Sequence, residues 1–232
     1  VHVGDIEKNE YRESYLADIY DAARIVDQMD NIHFFQRPMV ARDILNAADL
    51  DFNTVYASIK GTTKHVGCSF TEAEYMAPVF DMLHRVAGGE KKWRARPFVS
   101  NSNCFVVPPL RFATESCHVM EEAVRNGMPV LLLSAGQAGA TAPASIAGAV
   151  AQALSEVIAG LIYVNAMQAG HPCICGTWPF VSDLRTGAMS GGSGEQGLLT
   201  AACAQMLQFY DLPGGAAAGM ADSKMPDAQS GY

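Results

Sequence analysis

The feature that most constrains the fold of this chain is a repeated alternation of short apolar runs with longer segments of helical spacing. Six such pairs follow one another, with no long run of strands or of helices alone. This order is typical of a parallel sheet covered by helices. The six strands are predicted near Ile32, Val55, Phe98, Leu131, Ile174 and Ala217. The sequence therefore predicts an α/β fold.

The apolar runs and their spacing set the predicted bounds of each element. Strands are predicted over 32–35, 54–59, 97–101, 130–134, 173–177 and 216–220. Helices are predicted over 10–29, 71–86, 111–125, a long stretch ending near 168, and 195–210. The helix at 71–86 opens with Thr71-Glu72-Ala73-Glu74, which fits a capping box.

Two architectures fit this order, a closed barrel and a doubly wound open sheet. An open dinucleotide-binding sheet would place a glycine-rich fingerprint directly after the first strand, but Phe35-Gln36-Arg37-Pro38 follows instead. A (β/α) barrel needs eight strands. Only six are visible, and the chain begins at Val1 rather than at a methionine. We therefore predict one domain over 1–232, an incomplete TIM barrel and a fragment of a longer protein.

Composition excludes several classes of partner. Sixteen Lys and Arg residues stand against 24 Asp and Glu, a formal charge of -8, which disfavours nucleic acid and anionic membrane surfaces. The most apolar stretch, 146–167, carries four polar residues that would be expensive in a bilayer: Gln152, Ser155, Glu156 and Asn165. We expect a buried helix there. The six cysteines lie in apolar surroundings, which predicts reduced core thiols and a cytoplasmic protein.

The site of a barrel lies at the carboxyl ends of its strands, so the residues that follow each strand are the candidates. Trp178 and Phe180 follow the fifth strand, and Phe35 ends the first. A quaternary ammonium group cannot donate hydrogen bonds and is held by aromatic ring faces. These rings are therefore predicted to bind such a cation. The alternative is that the phenylalanines pack as ordinary core.

Glu195 and Gln196 open the last helix after a Ser-Gly-Gly-Ser loop. Backbone N–H groups at a helix start bind anions, so this position is a candidate for a substrate carboxylate. The alternative is that Glu195 simply complements the helix dipole. No serine nucleophile elbow of the G-x-S-x-G type is present, so serine hydrolysis has no support.

The segment His171-Pro-Cys173-Ile-Cys175 has the residue types of a zinc site. All three side chains would share one face of a strand, but successive ones would stand roughly 6–7 Å apart. A structural role is therefore favoured, and we predict that no metal is bound. A zinc-dependent methyltransferase that acts on a thiol stays open as an alternative.

Several motifs of this sequence resemble the trimethylamine:corrinoid methyltransferase family. The resemblance rests on the segment from Trp178 through Glu195-Gln196 to 210–213 and 222–229, and on 31–34, 108–111 and 191–193. It implies a TIM barrel and a methylamine-type substrate. It also implies that no cofactor is bound tightly and that a separate corrinoid protein accepts the methyl group.

Pyrrolysine is the feature that divides this family, and only standard residues are printed here. The resemblance then implies the branch without pyrrolysine, in which glycine betaine demethylation is known. A substrate carboxylate would need a cationic or N–H partner, for which Arg185, Lys224 and the helix start at Glu195-Gln196 are candidates. Trimethylamine as the substrate, a non-catalytic module that binds quaternary amines, and a homo-oligomeric state all stay open.

Overall fold

The computed structural model describes residues 2–5, 8, 10–217, 219–221 and 228. Contacts between Cα atoms divide the chain into two compact units. Unit one comprises Val1–Ser102 and His118–Pro129, and unit two comprises Asn103–Cys117 and Val130–Tyr232. Each unit is a set of parallel strands with helices, and each is described separately. The prediction of a single domain over 1–232 stays a prediction.

Unit one begins with a small antiparallel hairpin and continues as alternating strands and helices. Its first elements are β1 (His2–Asp5), β2 (Glu10–Glu13), α1 (Leu16–Asp27), β3 (Phe34–Gln36), α2 (Ala47–Gly61) and β4 (His65–Cys68). They are followed by a 3-10 turn (Ala73–Tyr75), α3 (Met76–Ala87), α4 (Glu90–Ala95) and β5 (Val99–Asn103). Strands β3, β4 and β5 pair in parallel and in chain order.

Unit two repeats the pattern after a second small hairpin. Its elements are β6 (Val106–Val107), β7 (Arg111–Phe112), α5 (Thr114–Arg125, shared with unit one), β8 (Val130–Ser134) and β9 (Gln137–Ala138). They continue with α6 (Ile146–Met167), β10 (Cys173–Thr177), β11 (Phe180–Val181), α7 (Gly194–Phe209) and β12 (Gly214–Ala216). Strands β8, β10 and β12 pair in parallel and in chain order.

The two units together supply six parallel strands, and neither contains a reversal of strand order. Helices follow the first five of these strands in the order of a (β/α) barrel, and the described residues carry six of the eight strands of such a barrel. The prediction of an α/β fold and an incomplete TIM barrel is confirmed.

Side chains on opposite faces of each sheet have different surroundings. In unit two Ser134 donates a hydrogen bond to Glu156 of α6, so Ser134 and its register partner Thr177 in β10 face the helices. Residues of the other parity, such as Leu133 and Gly176, face away from the helices. Unit one follows the same rule, because Cys68 interacts with Ser58 of α2 and the neighbouring Gly67 faces the other way.

The strand predicted at 54–59 is wrong. These residues belong to α2, which begins after the cap Asn46, whose side chain accepts a hydrogen bond from the N–H of Asp49 at 3.0 Å. The buried residues of this helix include Asp51, Thr54 and Ser58, spaced three and four apart as on one helical face. The parallel strand is β4, some ten residues later.

The loops on either side of β4 also differ from the sequence prediction. Lys60 to His65 lie at the amino end of β4, where the Lys64 ammonium donates to the carbonyl oxygens of Val26 and Ile32 at 2.7 Å. The predicted capping box at Thr71 is also absent. Its N–H and hydroxyl donate instead to the buried carboxylate of Asp51, at 2.7 and 3.0 Å.

Helix α6 was predicted to be buried, and it is buried on one face. By length and composition it would pass for a membrane span, with a mean hydropathy of 1.6 and 39% of the apolar window buried. It contacts β8 and β10 of unit two. Glu156 lies in its middle and is only 1% exposed.

Candidate active site

The loops that follow β8 and β10 in unit two run side by side past the carboxyl ends of their strands. The Trp178 N–H donates to the Ser134 carbonyl at 2.8 Å and extends the main ladder by one residue. Beyond it, Phe180 pairs with Gln137 in the short parallel ladder of β9 and β11. The two loops therefore form a second, smaller layer where a barrel places its site.

Trp178 and Phe180 are both half-buried in this layer. Trp178 directly follows β10, and continuing the strand period predicts that its indole shares the face of Gly176, which is turned away from the helices. Within the described part of unit two, ring contacts join Phe105 with Phe112, Phe112 with Tyr163 and Phe209 with Tyr210, and involve neither Trp178 nor Phe180. An aromatic cage built from several rings stays a prediction.

Arg185 lies in the same loop but is held at its surface. Its N–H and its Nε–H both donate to the carboxylate of Asp183, at 2.9 and 3.4 Å. These bonds, the backbone one above all, lower the pKa of Asp183. The Arg185 side chain is 90% exposed, so this ion pair is weak and the guanidinium is accessible to a ligand.

Glu195 and Gln196 begin α7, and their roles differ. Ser193 caps the helix by accepting from the N–H of Gln196 at 3.2 Å, while the Gln196 amide oxygen accepts from the N–H of Gly192 at 3.0 Å. Gln196 is 4% exposed and closes the helix start as a capping residue. Glu195 is exposed, as expected of a carboxylate that complements the helix dipole.

One cavity of about 320 Å³ adjoins this layer in unit two. It is lined by apolar and small residues together with the two acids Asp183 and Glu195, and Trp178 is not in its wall. A larger cavity of about 610 Å³ in unit one is lined by residues of α1 and by Gly61 at the end of α2. Gly61 precedes β4, so this cavity is at the amino end of that strand, where barrels carry stability rather than chemistry.

The remaining predicted residues have different surroundings. Phe35 is 2% exposed and lies in the middle of β3 within the core of unit one. Lys224 lies outside the described residues. The neighbouring Gln36 accepts a hydrogen bond from the Ser102 hydroxyl at 2.8 Å, which places a polar pair at the carboxyl ends of β3 and β5.

The candidate zinc segment consists of thiols that burial keeps protonated. Desolvation raises the pKa of Cys173 to about 12 and also raises the pKa of Cys175. Across the described part of the chain, no group of three His, Cys, Asp or Glu side chains is arranged to hold a metal ion. The prediction that these cysteines bind no metal stays a prediction.

Glu156 is a residue of this region that sequence reasoning used only as an argument against a membrane span. Its carboxylate accepts from the Ser134 hydroxyl at 2.5 Å, the Leu110 N–H at 2.9 Å and the Gln152 amide at 3.1 Å. The signal was present in the sequence, because a single acid in an apolar helix is expensive to bury unless it is hydrogen-bonded.

The parallel barrel repeat, with its candidate site on the loops after the strands, is the arrangement of (β/α)-barrel proteins. Comparison with known proteins identifies the family within that fold. The family model described as trimethylamine methyltransferase matches residues 2–232. The chain therefore belongs to the trimethylamine methyltransferase family.

Curated relatives agree with this assignment. The chain is 32% identical over all of its length to a trimethylamine methyltransferase of Desulfitobacterium hafniense (strain DSM 10664 / DCB-2), covering 46% of that protein. It is 32% identical over 93% of its length to the trimethylamine methyltransferase of Methanosarcina thermophila, covering 44% of it. A glycine betaine methyltransferase of Desulfitobacterium hafniense (strain Y51) is 30% identical over 95% of the chain, which covers 46% of that protein. The chain thus spans less than half the length of these relatives.

Proposed function

We propose that this protein, in its natural length, transfers a methyl group from a quaternary amine to the reduced corrinoid of a separate carrier protein in a reducing cytoplasm. Glycine betaine is the leading substrate. The observation that carries the proposal is membership of a methyltransferase family combined with an indole, Trp178, directly after β10. The 30% identity to a glycine betaine methyltransferase supports the choice of substrate.

The chemistry suits a quaternary substrate. Its nitrogen is already cationic, so the methyl carbon is electrophilic. In the transfer the N–CH3 bond breaks with its electron pair left on nitrogen, and the reduced corrinoid supplies the pair for the new bond to carbon. The protein's part is to hold the donor in line with the acceptor, which is a proximity effect.

The residues of this chain supply different parts of that task. The Trp178 face attracts the ammonium group through its ring quadrupole. A carboxylate on the substrate would be paired by Arg185, whose guanidinium is accessible, or by N–H groups at the start of α7. None of the 232 residues is pyrrolysine. These residues align with less than half of each relative, so membership of the branch without pyrrolysine is tested by the substrate assay.

The test is methyl transfer to reduced cobalamin or to a purified corrinoid carrier, across a panel of glycine betaine, carnitine and trimethylamine. Trp178→Ala is expected to weaken substrate binding by up to about thirtyfold, because a cation over an indole gains roughly 0.5–2 kcal/mol. Trp178→Phe is expected to be milder. Phe209→Ala is a matched control, since it removes a ring that is 76% exposed at the other end of α7.

The outcomes separate the parts of the proposal. Turnover of trimethylamine without turnover of any quaternary amine would overturn the subclass. An unchanged KM and kcat in Trp178→Ala would overturn the role of the indole while leaving the family intact. Binding of an amine without transfer to any corrinoid would favour a non-catalytic binding module.

A further inference from the structure

The buried carboxylate of Glu156 joins three separate segments of unit two. Its three donors belong to the last residue of β8, to the tip of the β6–β7 hairpin and to the preceding turn of α6. Glu156 is 1% exposed. A carboxylate is expensive to bury and is retained only where hydrogen bonds compensate for the lost hydration.

Each donor also connects to a loop at the carboxyl ends of the strands. Ser134 gives its hydroxyl hydrogen to Glu156, and its carbonyl accepts the N–H of Trp178 at 2.8 Å. Gln152 donates a second hydrogen bond to the carbonyl of Thr141, in the loop after β9, at 2.9 Å. Glu156 is therefore two hydrogen bonds from the backbone of Trp178.

The third donor fixes an unusual backbone. Leu110 has a φ of 57°, in the left-handed region that a non-glycine residue seldom adopts. Its side chain is 66% exposed while its N–H points into the protein and bonds to Glu156. The carboxylate thus stabilises a strained turn that presents an apolar side chain to solvent after β5.

From this geometry we propose that Glu156 is a positioning residue, which sets the place of the Trp178 indole through Ser134 and of the hairpin tip through Leu110. The segments that would contact substrate need support from buried hydrogen bonds of this kind to hold their geometry. The consequence for catalysis rests on the proposed function, whereas the consequence for the position of Trp178 does not.

The first experiment needs no activity. Within these 232 residues the tryptophans are Trp93 and Trp178, so replacing Trp93 and every tryptophan outside them with phenylalanine makes Trp178 the single reporter. In the protein of natural length, Glu156→Ala is expected to shift the emission of Trp178 and raise its quenching by acrylamide. Glu156→Gln should stay close to wild type, because its amide can accept from Leu110 and Gln152 and donate to Ser134.

The matched control is Val157→Ala, the next residue of α6, which is fully buried. It leaves a cavity and lowers the melting temperature, but it leaves the hydrogen bonds of the Glu156 carboxylate in place. If Val157→Ala and Glu156→Ala change Trp178 fluorescence equally, the role of Glu156 is general stability and the proposal is overturned. Should Glu156→Ala not fold, Ser134→Ala removes the same bond with a smaller change and is expected to shift the fluorescence in the same direction.

The second experiment measures kinetics with whichever amine is turned over. Glu156→Ala is expected to raise KM for the amine about five- to tenfold, the size of one lost buried hydrogen bond, with Glu156→Gln restoring it. Val157→Ala should leave KM unchanged. An unchanged KM in Glu156→Ala would overturn the catalytic consequence. If the wild type transfers no methyl group, the proposed function fails, and the fluorescence result still decides the positioning role.

Discussion

Unit one and unit two solve the same packing problem with different chemistry. The central strand of each parallel set carries a glycine on the face turned away from the helices, Gly67 in β4 and Gly176 in β10. A Cβ at Gly67 would lie 2.1 Å from the amide oxygen of Gln36, and one at Gly176 would lie 2.4 Å from a methyl carbon of Leu133. In both units the side chain of a residue on the adjacent strand occupies the space where a Cβ of the glycine would lie.

The two units differ in whether the side chain packed against the glycine is polar or apolar. In unit one Gln36 reaches over Gly67 to accept the Ser102 hydroxyl, so polar groups occupy this face at the strand ends. In unit two Leu131 and Leu133 fill the space beside Gly176, and the polar groups lie on the helix side with Glu156. On the face turned away from the helices, the same barrel repeat therefore gives unit one polar strand ends and unit two apolar ones, beyond which Trp178 follows.

The largest effect is expected from Gly176→Ala, which forces Leu133 out of its place and also brings the new methyl group 3.0 Å from the Leu132 carbonyl. Overpacking of this kind destabilises by about 1–3 kcal/mol. The melting temperature should fall by roughly 2–4 °C for each kcal/mol. Gly215→Ala in the adjacent β12 is the control, since its Cβ would meet nothing within 4 Å. Equal melting temperatures of the two variants would show that the close packing of Leu133 against Gly176 does not contribute to stability.

A smaller effect is expected from Gly67→Ala. The clashing atom is the far end of a flexible side chain, so Gln36 can swing aside, with loss of its bond to Ser102. The expected loss is about 1–2 kcal/mol in the free energy of unfolding, measured by urea denaturation. In a Gln36→Ala background the same substitution should cost much less, because the remaining close atom is the Ser102 hydroxyl oxygen, 3.2 Å from the new Cβ. An equal loss of unfolding free energy in both backgrounds would contradict the packing of the Gln36 side chain against Gly67.

The smallest effect is expected from Ser102→Ala, which removes a single hydrogen bond. Gln36 is half-buried, so water can replace the hydroxyl, and we expect a loss of about 0.5–1 kcal/mol. Ser134→Ala in unit two leaves one oxygen of the buried Glu156 carboxylate without its donor and should destabilise more. Urea denaturation of the two serine variants compares a hydrogen bond on the face turned away from the helices in unit one with a hydrogen bond on the helix side of unit two. A larger loss of stability in Ser102→Ala than in Ser134→Ala would contradict this difference between the two units.

The buried strands of unit two were predicted from the sequence with their observed bounds. The runs at 130–134 and 173–177 are short, apolar and flanked by turn residues, and they are β8 and β10. The run at 54–59 was equally apolar but is helical, because Asn46 caps a helix that begins seven residues before Thr54. A short apolar run has the same composition in a strand and on a buried helical face, so only its wider context separates them.

The candidate site was predictable in position and less so in detail. Trp178 was found because it directly follows a recognisable strand. Gln196 was singled out for the same helix start, but the structure uses its amide to cap α7, a role that depends on where Gly192 turns. Glu156 was missed as a site residue because its partners Leu110 and Ser134 are 46 and 22 positions away in the chain.

The sequence by itself determined the repeat, the parallel fold class, the family and the strand ends at which to search for the site. These follow from local periodicity and local motifs, which neighbouring residues encode together. Only the tertiary structure decided that Glu156 accepts hydrogen bonds from three separate segments. It also decided that Gln36 packs against Gly67 and Leu133 against Gly176. Such contacts join residues distant in the chain, and their energy depends on distances of a few tenths of an ångström that no spacing along the sequence specifies.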